Sequence, residues 1–335
     1  MNRIARNTIT LGAFALLSTT NAANAQTYVF DRNIGSIGSG NGQLSDPTGV
    51  SVDSNGNVFV ADTYNERIEE FDRNGAFIQT FGNYGFGNGQ LSNPEGVAVD
   101  SSGNIFVADT NNSRVVKFNR SGVFVQNIGS PGHGNGQVDY PAGIVVDSNG
   151  TIFVSDSNNN RVVEFNKSGG FAQNVGSAGF GNGQFEQPAG VALDRGNNLF
   201  VADTYISRVV KFNNIGGFLQ SFGSQGSGNG QLYSPDGVAV DSNGNVFVAD
   251  GINYRIEEFD RTGNFVQNIG RFGTGNGQFA RSFGIALDGN GNLFVADGLN
   301  NRIVKFDAVP EPGSLVLFVG IASVGLSILR KRRRK

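Results

Sequence analysis

The chain of 335 residues contains one histidine, His133, and no cysteine. Disulfides, thiolate metal sites, Cys nucleophiles and His clusters are therefore excluded, and zinc-dependent chemistry has no support. A Ser-His-Asp arrangement would have to be built around the one loop that carries His133, where sibling positions hold Phe86, Phe180, Ser227 or Thr274. What remains for chemistry is a set of carboxylates and phenols. Glu66, Glu95 and Asp236 are acidic groups that would act as acid and base if they converged. Tyr64, Tyr84, Tyr140, Tyr205, Tyr233 and Tyr254, with Arg281, Ile252, Phe283 and Leu299, offer apolar area with polar handles. That combination suits binding of carbohydrate or protein.

Two repeated features imitate sites. Gly-x-Gly-Asn-Gly-Gln, first at Gly38 to Gln43, has the look of a phosphate-binding glycine loop, but such a loop must open a helix and no helical pattern follows. Asp53-Ser54-Asn55-Gly56-Asn57 looks like a calcium loop without the bidentate Glu that would complete it. Its aspartates, Asp53, Asp100, Asp147, Asp194, Asp241 and Asp288, are read as caps of their own hairpin turns. Calcium is the one ion this reading leaves open; no other cofactor is expected.

The elements that must position these groups are copies of one unit. Asp62, Asp109, Asp156, Asp203, Asp250 and Asp297 are spaced 47 residues apart, and each is followed five residues later by an arginine, Arg67 to Arg302. A strict period of this length means a packed array of one supersecondary unit. In the second copy Gly96 to Asp100 reads as an inner strand and Ser101 to Asn104 as a turn. Ile105 to Ala108, Arg114 to Phe118 and Phe124 to Ile128 then supply three more strands. Four-stranded units at this spacing predict an all-β, six-bladed propeller. The Asp62 and Arg67 pairs are read as ion pairs within each blade, worth about 0 to 1 kcal/mol each if exposed.

Pro94 to Asp100, Gly103 to Asp109 and Asn112 to Val115 together resemble the NHL repeat, and the resemblance spans residues 28 to 307. The sixth copy departs from the pattern at Ser282, which replaces the proline. Some NHL propellers bind RNA through a basic face. Here residues 26 to 309 carry 17 basic against 27 acidic residues, a net charge of −10, which opposes a phosphate backbone. A few related six-bladed propellers are lyases or hydrolases. A convergent acid and base among Glu66, Glu95 and Asp236 would favour that reading, whereas separated groups on a flat face would favour binding.

The sixth copy ends after its third strand, and Phe30 and Gly35 precede Phe265 and Gly270 by 235 residues, five periods. The N-terminal segment is thus expected to close the ring by supplying the missing strand. In a propeller the loop between strands two and three and the link to the next blade share one face. Six of the seven tyrosines fall in those loops, Tyr28 being the exception.

Residues 1 to 25 combine Arg3 and Arg6, an apolar stretch and Ala23-Asn24-Ala25, the pattern of a secretory signal. At the other end, residues 313 to 329 carry no charge and precede six basic residues, as in a membrane span with its cytoplasmic flank. With Pro310, Glu311 and Pro312 ahead of it, this tail resembles a PEP-CTERM sorting signal, which implies recognition by an exosortase at the inner membrane of a Gram-negative bacterium. The domain reading is a signal peptide at 1 to 25, a propeller at 26 to 309 and a sorting signal at 310 to 335. The functional reading is an exported, cell-surface binding or scaffolding module. Its partner is an extracellular polysaccharide or protein, met through Tyr64, Glu66, Glu95, Tyr140, Tyr205, Tyr233, Asp236, Tyr254 and Phe283. The alternatives are a channel-centred lyase or hydrolase and a purely structural matrix protein.

Overall fold

A computed structural model describes residues 26–310, of which Tyr28–Val309 form one compact unit. The expected signal peptide, the apolar span at 313 to 329, Glu311 and Pro312 lie outside the described residues. Among the described residues no helix is long and apolar enough to cross a membrane.

Each repeat folds as four strands paired in chain order. In blade 2 they are Pro94–Val99, Ile105–Asp109, Arg114–Phe118 and Phe124–Ile128. The inner strand begins two residues earlier than the sequence suggests, because Pro94 pairs with Asp109 across a register shift. Ser282 pairs with Asp297 in the same way, so the missing proline leaves the sixth inner strand, Ser282–Leu287, intact. The second strand of every blade is wholly buried, which explains its unbroken apolar sequence. Blade 6 is completed by the N-terminal strand Gln26–Ile34, which lies beside Arg302–Pro310. Phe30 packs edge-on against Phe306 at 6.5 Å and Asp31 accepts a 2.8 Å hydrogen bond from Lys305 Nζ.

The inner strands neighbour one another in a cycle that closes from blade 6 to blade 1. Glycine is required at this seam. A Cβ on Gly49 would lie 2.3 Å from the carbonyl oxygen of Glu95, and one on Gly284 would lie 2.5 Å from that of Thr48. Only a bare backbone permits blades to approach so closely.

The Asp and Arg pairs within each blade are not exposed. Asp156 is fully buried, and Arg161 Nε donates to its Oδ2 at 2.8 Å. The same carboxylate accepts the Asp139 N–H at 2.6 Å, while Arg161 Nη2 donates to the carbonyls of Gly134 and Gln137. Every blade repeats this clamp on the link that enters it, so the glycine loop is gripped through its carbonyls. Burial raises the pKa of each clamp aspartate, and hydrogen bonds from backbone, Asn and Arg oppose the rise.

Candidate functional site at the channel mouth

The clamp brings the loop between strands two and three onto the same face as the link, because Asn65 Nδ2 donates both to Gly38 O and to Asp62. On that face the channel opens into a cavity of about 410 Å³, within the usual range for small-molecule sites.

The second residue of each Pro-x-Gly motif, and of Ser282-Phe283-Gly284 in blade 6, faces this cavity. Around the ring the column reads Thr48, Glu95, Ala142, Ala189, Asp236 and Phe283. Glu95 and Asp236 belong to blades 2 and 5, three steps apart in a cycle of six, and therefore stand across the channel from each other. Burial pushes the Glu95 carboxyl up to about 6, although Tyr140 and Asn93 donate hydrogen bonds to it, the latter at 3.0 Å. Burial likewise pushes Asp236 up to about 7, with Arg281 opposing and Glu95 reinforcing the rise. Arg281 Nη2 stands 3.9 Å from Asp236 Oδ2, too far for a hydrogen bond, and its guanidinium lies 4.3 Å from the Phe283 ring centroid. Asp46 also lines the cavity, with its carboxyl raised by burial and bonded by the Tyr64 hydroxyl. Tyr140 holds a left-handed backbone, φ 57°, at the rim, and burial beside Glu95 raises its phenol to about 12.

A second column changes together with the first. Thr63, Thr110, Ser157 and Thr204 each donate a hydroxyl hydrogen bond of 2.6 to 2.8 Å to a carbonyl of the next blade. Blades 5 and 6 have Gly251 and Gly298 instead. A Cβ on Gly251 would lie 2.6 Å from Asp236 Oδ2, and one on Gly298 would lie 2.3 Å from the Phe283 ring and 2.6 Å from Asp46 Oδ1. The two glycines give up an inter-blade hydrogen bond and make room for mouth side chains.

Of the residues expected at the binding face, Tyr64, Glu95, Tyr140, Asp236 and Phe283 line the cavity, and Glu66, Tyr205, Tyr233 and Tyr254 do not. Glu66 accepts the Asn93 backbone N–H, a latch between blades 1 and 2. Tyr205 and Tyr233 are exposed outside the cavity. Tyr254 packs on Phe272 at 4.8 Å. Thr48, Asn93 and Asp46 line the cavity without having been singled out. Reading the Pro-x-Gly column and the column before it copy by copy would have found them. His133 meets Asn159 on the surface away from this group. The Asp53 carboxylate caps its turn, accepting the Asn55 and Asn57 N–H groups at 2.8 Å. Among the described residues no three His, Cys, Asp or Glu side chains are grouped to hold a metal ion.

Comparison with known proteins agrees with this architecture. The family described as NHL repeat matches residues 44–71, 91–118, 139–165 and 185–212, and a 6-bladed beta-propeller family matches 232–311. The chain is a six-bladed NHL propeller. It is 40% identical over 52 residues to the B-box type zinc finger protein ncl-1 of Caenorhabditis elegans and 50% identical over 44 residues to protein lin-41 of the same organism. These stretches cover 16% and 13% of this chain and only 6% and 4% of those proteins. Among solved structures, a gluconolactonase from Xanthomonas campestris superposes with a TM-score of 0.63 at 14% identity, covering 85% of this chain and 100% of that one. A streptogramin B lyase gives 0.57 at 14%, covering 83% and 97%. A chain of a nidogen/laminin complex gives 0.60 at 18%, covering 73% and 86%. At these identities the NHL propeller shares a fold with enzymes and with a chain of that complex alike, and the likeness extends no further.

Proposed function

We propose that this NHL propeller is an exported, surface-sorted binding module that holds a unit of an extracellular polysaccharide in its channel mouth. The observation that carries the reading is the convergence of Glu95, Asp236, Asn93, Tyr64, Tyr140 and Phe283 on one recessed cavity. Carboxylates and an amide bond sugar hydroxyls, and aromatic faces take the apolar side of a sugar ring. The signal-like residues 1 to 25 and the Pro310-Glu311-Pro312 tail support export and sorting.

A second reading is favoured by one specific feature. Glu95 and Asp236 face each other with raised pKa values, the arrangement that general acid and base chemistry uses. A channel-centred lyase or hydrolase acting on the same glycan would place its chemistry there.

The test is binding of the full-length chain to a panel of soluble bacterial exopolysaccharides, with chain length of the glycan measured afterwards. Glu95→Gln and Asp236→Asn should each weaken binding about tenfold or more. Asn243→Ala on the opposite face should leave it unchanged. Equal loss from Asn243→Ala would overturn the assignment of the mouth, and shortening of the glycan by the native chain alone would establish the enzymatic reading.

A further inference from the structure

Resting on that reading, we infer that the sugar unit carries a primary ammonium group, seated between Glu95 and Asp236, with Phe283 as the apolar wall of its site.

Architecture does not account for the acidic pair. The same column holds Thr48, Ala142, Ala189 and Phe283 in the other blades, and the inner strands of all six take the same length. Gly251 has moreover given up a hydroxyl bond that four sibling blades make, in a place where a Cβ would crowd Asp236 Oδ2. Fold alone gives no reason to replace a satisfied hydroxyl with a carboxylate.

The charge balance of the cavity is one-sided. Three carboxylates, Asp46, Glu95 and Asp236, line it with a single cation, Arg281. That guanidinium is shared among all three and is held over Phe283. Asp236 Oδ2 and Asp46 Oδ1 are buried with no hydrogen-bond partner. An ammonium group supplies three donors and a positive charge in one small head, and so offsets the repulsion between the opposed acids. Ala142 and Ala189 leave the space beside the pair open, and Phe283 stands three blades from Ala142. An amino sugar presents a cation on one edge and an apolar ring face on the other, which fits this layout.

The pair would also make binding depend on pH. The other titratable or charged groups facing the pair are Arg281, a cation; Tyr140, whose phenol burial pushes up to about 12; Tyr64, which bonds Asp46; Asp46 itself, of the acid set; and Asp250, raised by burial and paired with Arg255. Since Glu95 titrates near 6 and Asp236 near 7, the pair loses its negative charge as pH falls through that window.

The experiment is calorimetric titration of the full-length chain, in detergent, with glucosamine, glucose, N-acetylglucosamine and ethanolamine. Glucosamine should bind about tenfold or more tightly than the other three, and its affinity should fall by a similar factor from about pH 7.5 to about pH 5. Glu95→Gln and Asp236→Asn, checked for unchanged melting profiles, should each remove the preference for glucosamine over glucose. Equal binding of glucosamine, glucose and N-acetylglucosamine would overturn the ammonium inference and leave the carbohydrate reading standing. Ethanolamine binding as well as glucosamine would overturn the sugar, and no binding of any of the four would overturn both.

Discussion

Asp156 and Asp236 are the same side chain, recessed in the same ring, and the protein treats them in opposite ways. Asp156 is met by an arginine, an asparagine and a backbone N–H, each within hydrogen-bond distance. Asp236 has an arginine at 3.9 Å and an oxygen without a partner. The first arrangement recurs in the clamp of every blade, with Ile206 taking the place of the asparagine in blade 4, and the second arises where the copies diverge. A repeat protein can keep a charge buried at little risk when every copy satisfies it. A charge left unsatisfied in one copy is better placed to meet something from outside.

The comparison is broken most directly at the clamp. Replacing Asp156 with Ala leaves Arg161 buried without its anion and the Asp139 N–H without its acceptor. A loss of about 3–5 kcal/mol in unfolding free energy is expected, measured by urea denaturation with an unchanged slope. A loss below about 1 kcal/mol would mean that the clamp is no better satisfied than the mouth.

A case between the two sharpens it. Glu69 and Glu257 occupy a strand position that is valine in the other four copies, and both are fully buried. Each sits within 3 Å of its blade's clamp arginine, yet burial pushes both carboxyls up to about 7. A raised carboxyl pKa means that the folded state holds its proton more tightly than the unfolded chain. These groups therefore weaken the fold progressively as pH rises from about 4.5 through 7. The double variant Glu69→Gln, Glu257→Gln should match the native chain near pH 4 and be more stable by roughly 2 kcal/mol near pH 8. A variant less stable at both values would show that the arginine fully compensates the charge.

The clamp and the ring were legible in sequence because periodicity reports whatever every copy shares. The 47-residue spacing of Asp156 and Arg161 located the blades, and the offset of Phe30 from Phe265 located the closing strand. Burial of the pair was not legible. It depends on a link from outside the blade folding over the arginine, a contact the strand pattern does not contain. At the mouth, Glu95 and Asp236 could be listed as variable, but face alone does not separate Tyr64, which lines the cavity, from Tyr205, which does not. Nor did composition mark Gly251 and Gly298, whose importance lies in the hydroxyl they lack.

The smallest expected effect tests the mouth by itself. If Asp236 is kept for a ligand, the free protein bears a cost for it, and removing its charge should stabilise the fold. Its folded pKa near 7 lies above its ordinary value of 3.8, so the cost is absent below about pH 3.8, grows as pH rises to about 7 and levels off above. Asp236→Asn keeps the shape and removes the ionisation. Its stability should equal that of the native chain near pH 3.5 and exceed it near pH 8 by on the order of 1 kcal/mol, read as a higher melting temperature. The gain stays below what the shift alone would give, because Arg281 loses a neighbour and 16% of the side chain is open to the channel. Adding a saturating ligand should reverse the order at pH 8, since only the native carboxylate is stabilised by it. An Asn variant that melts lower at pH 8 without ligand would place Asp236 among the clamps rather than at the site.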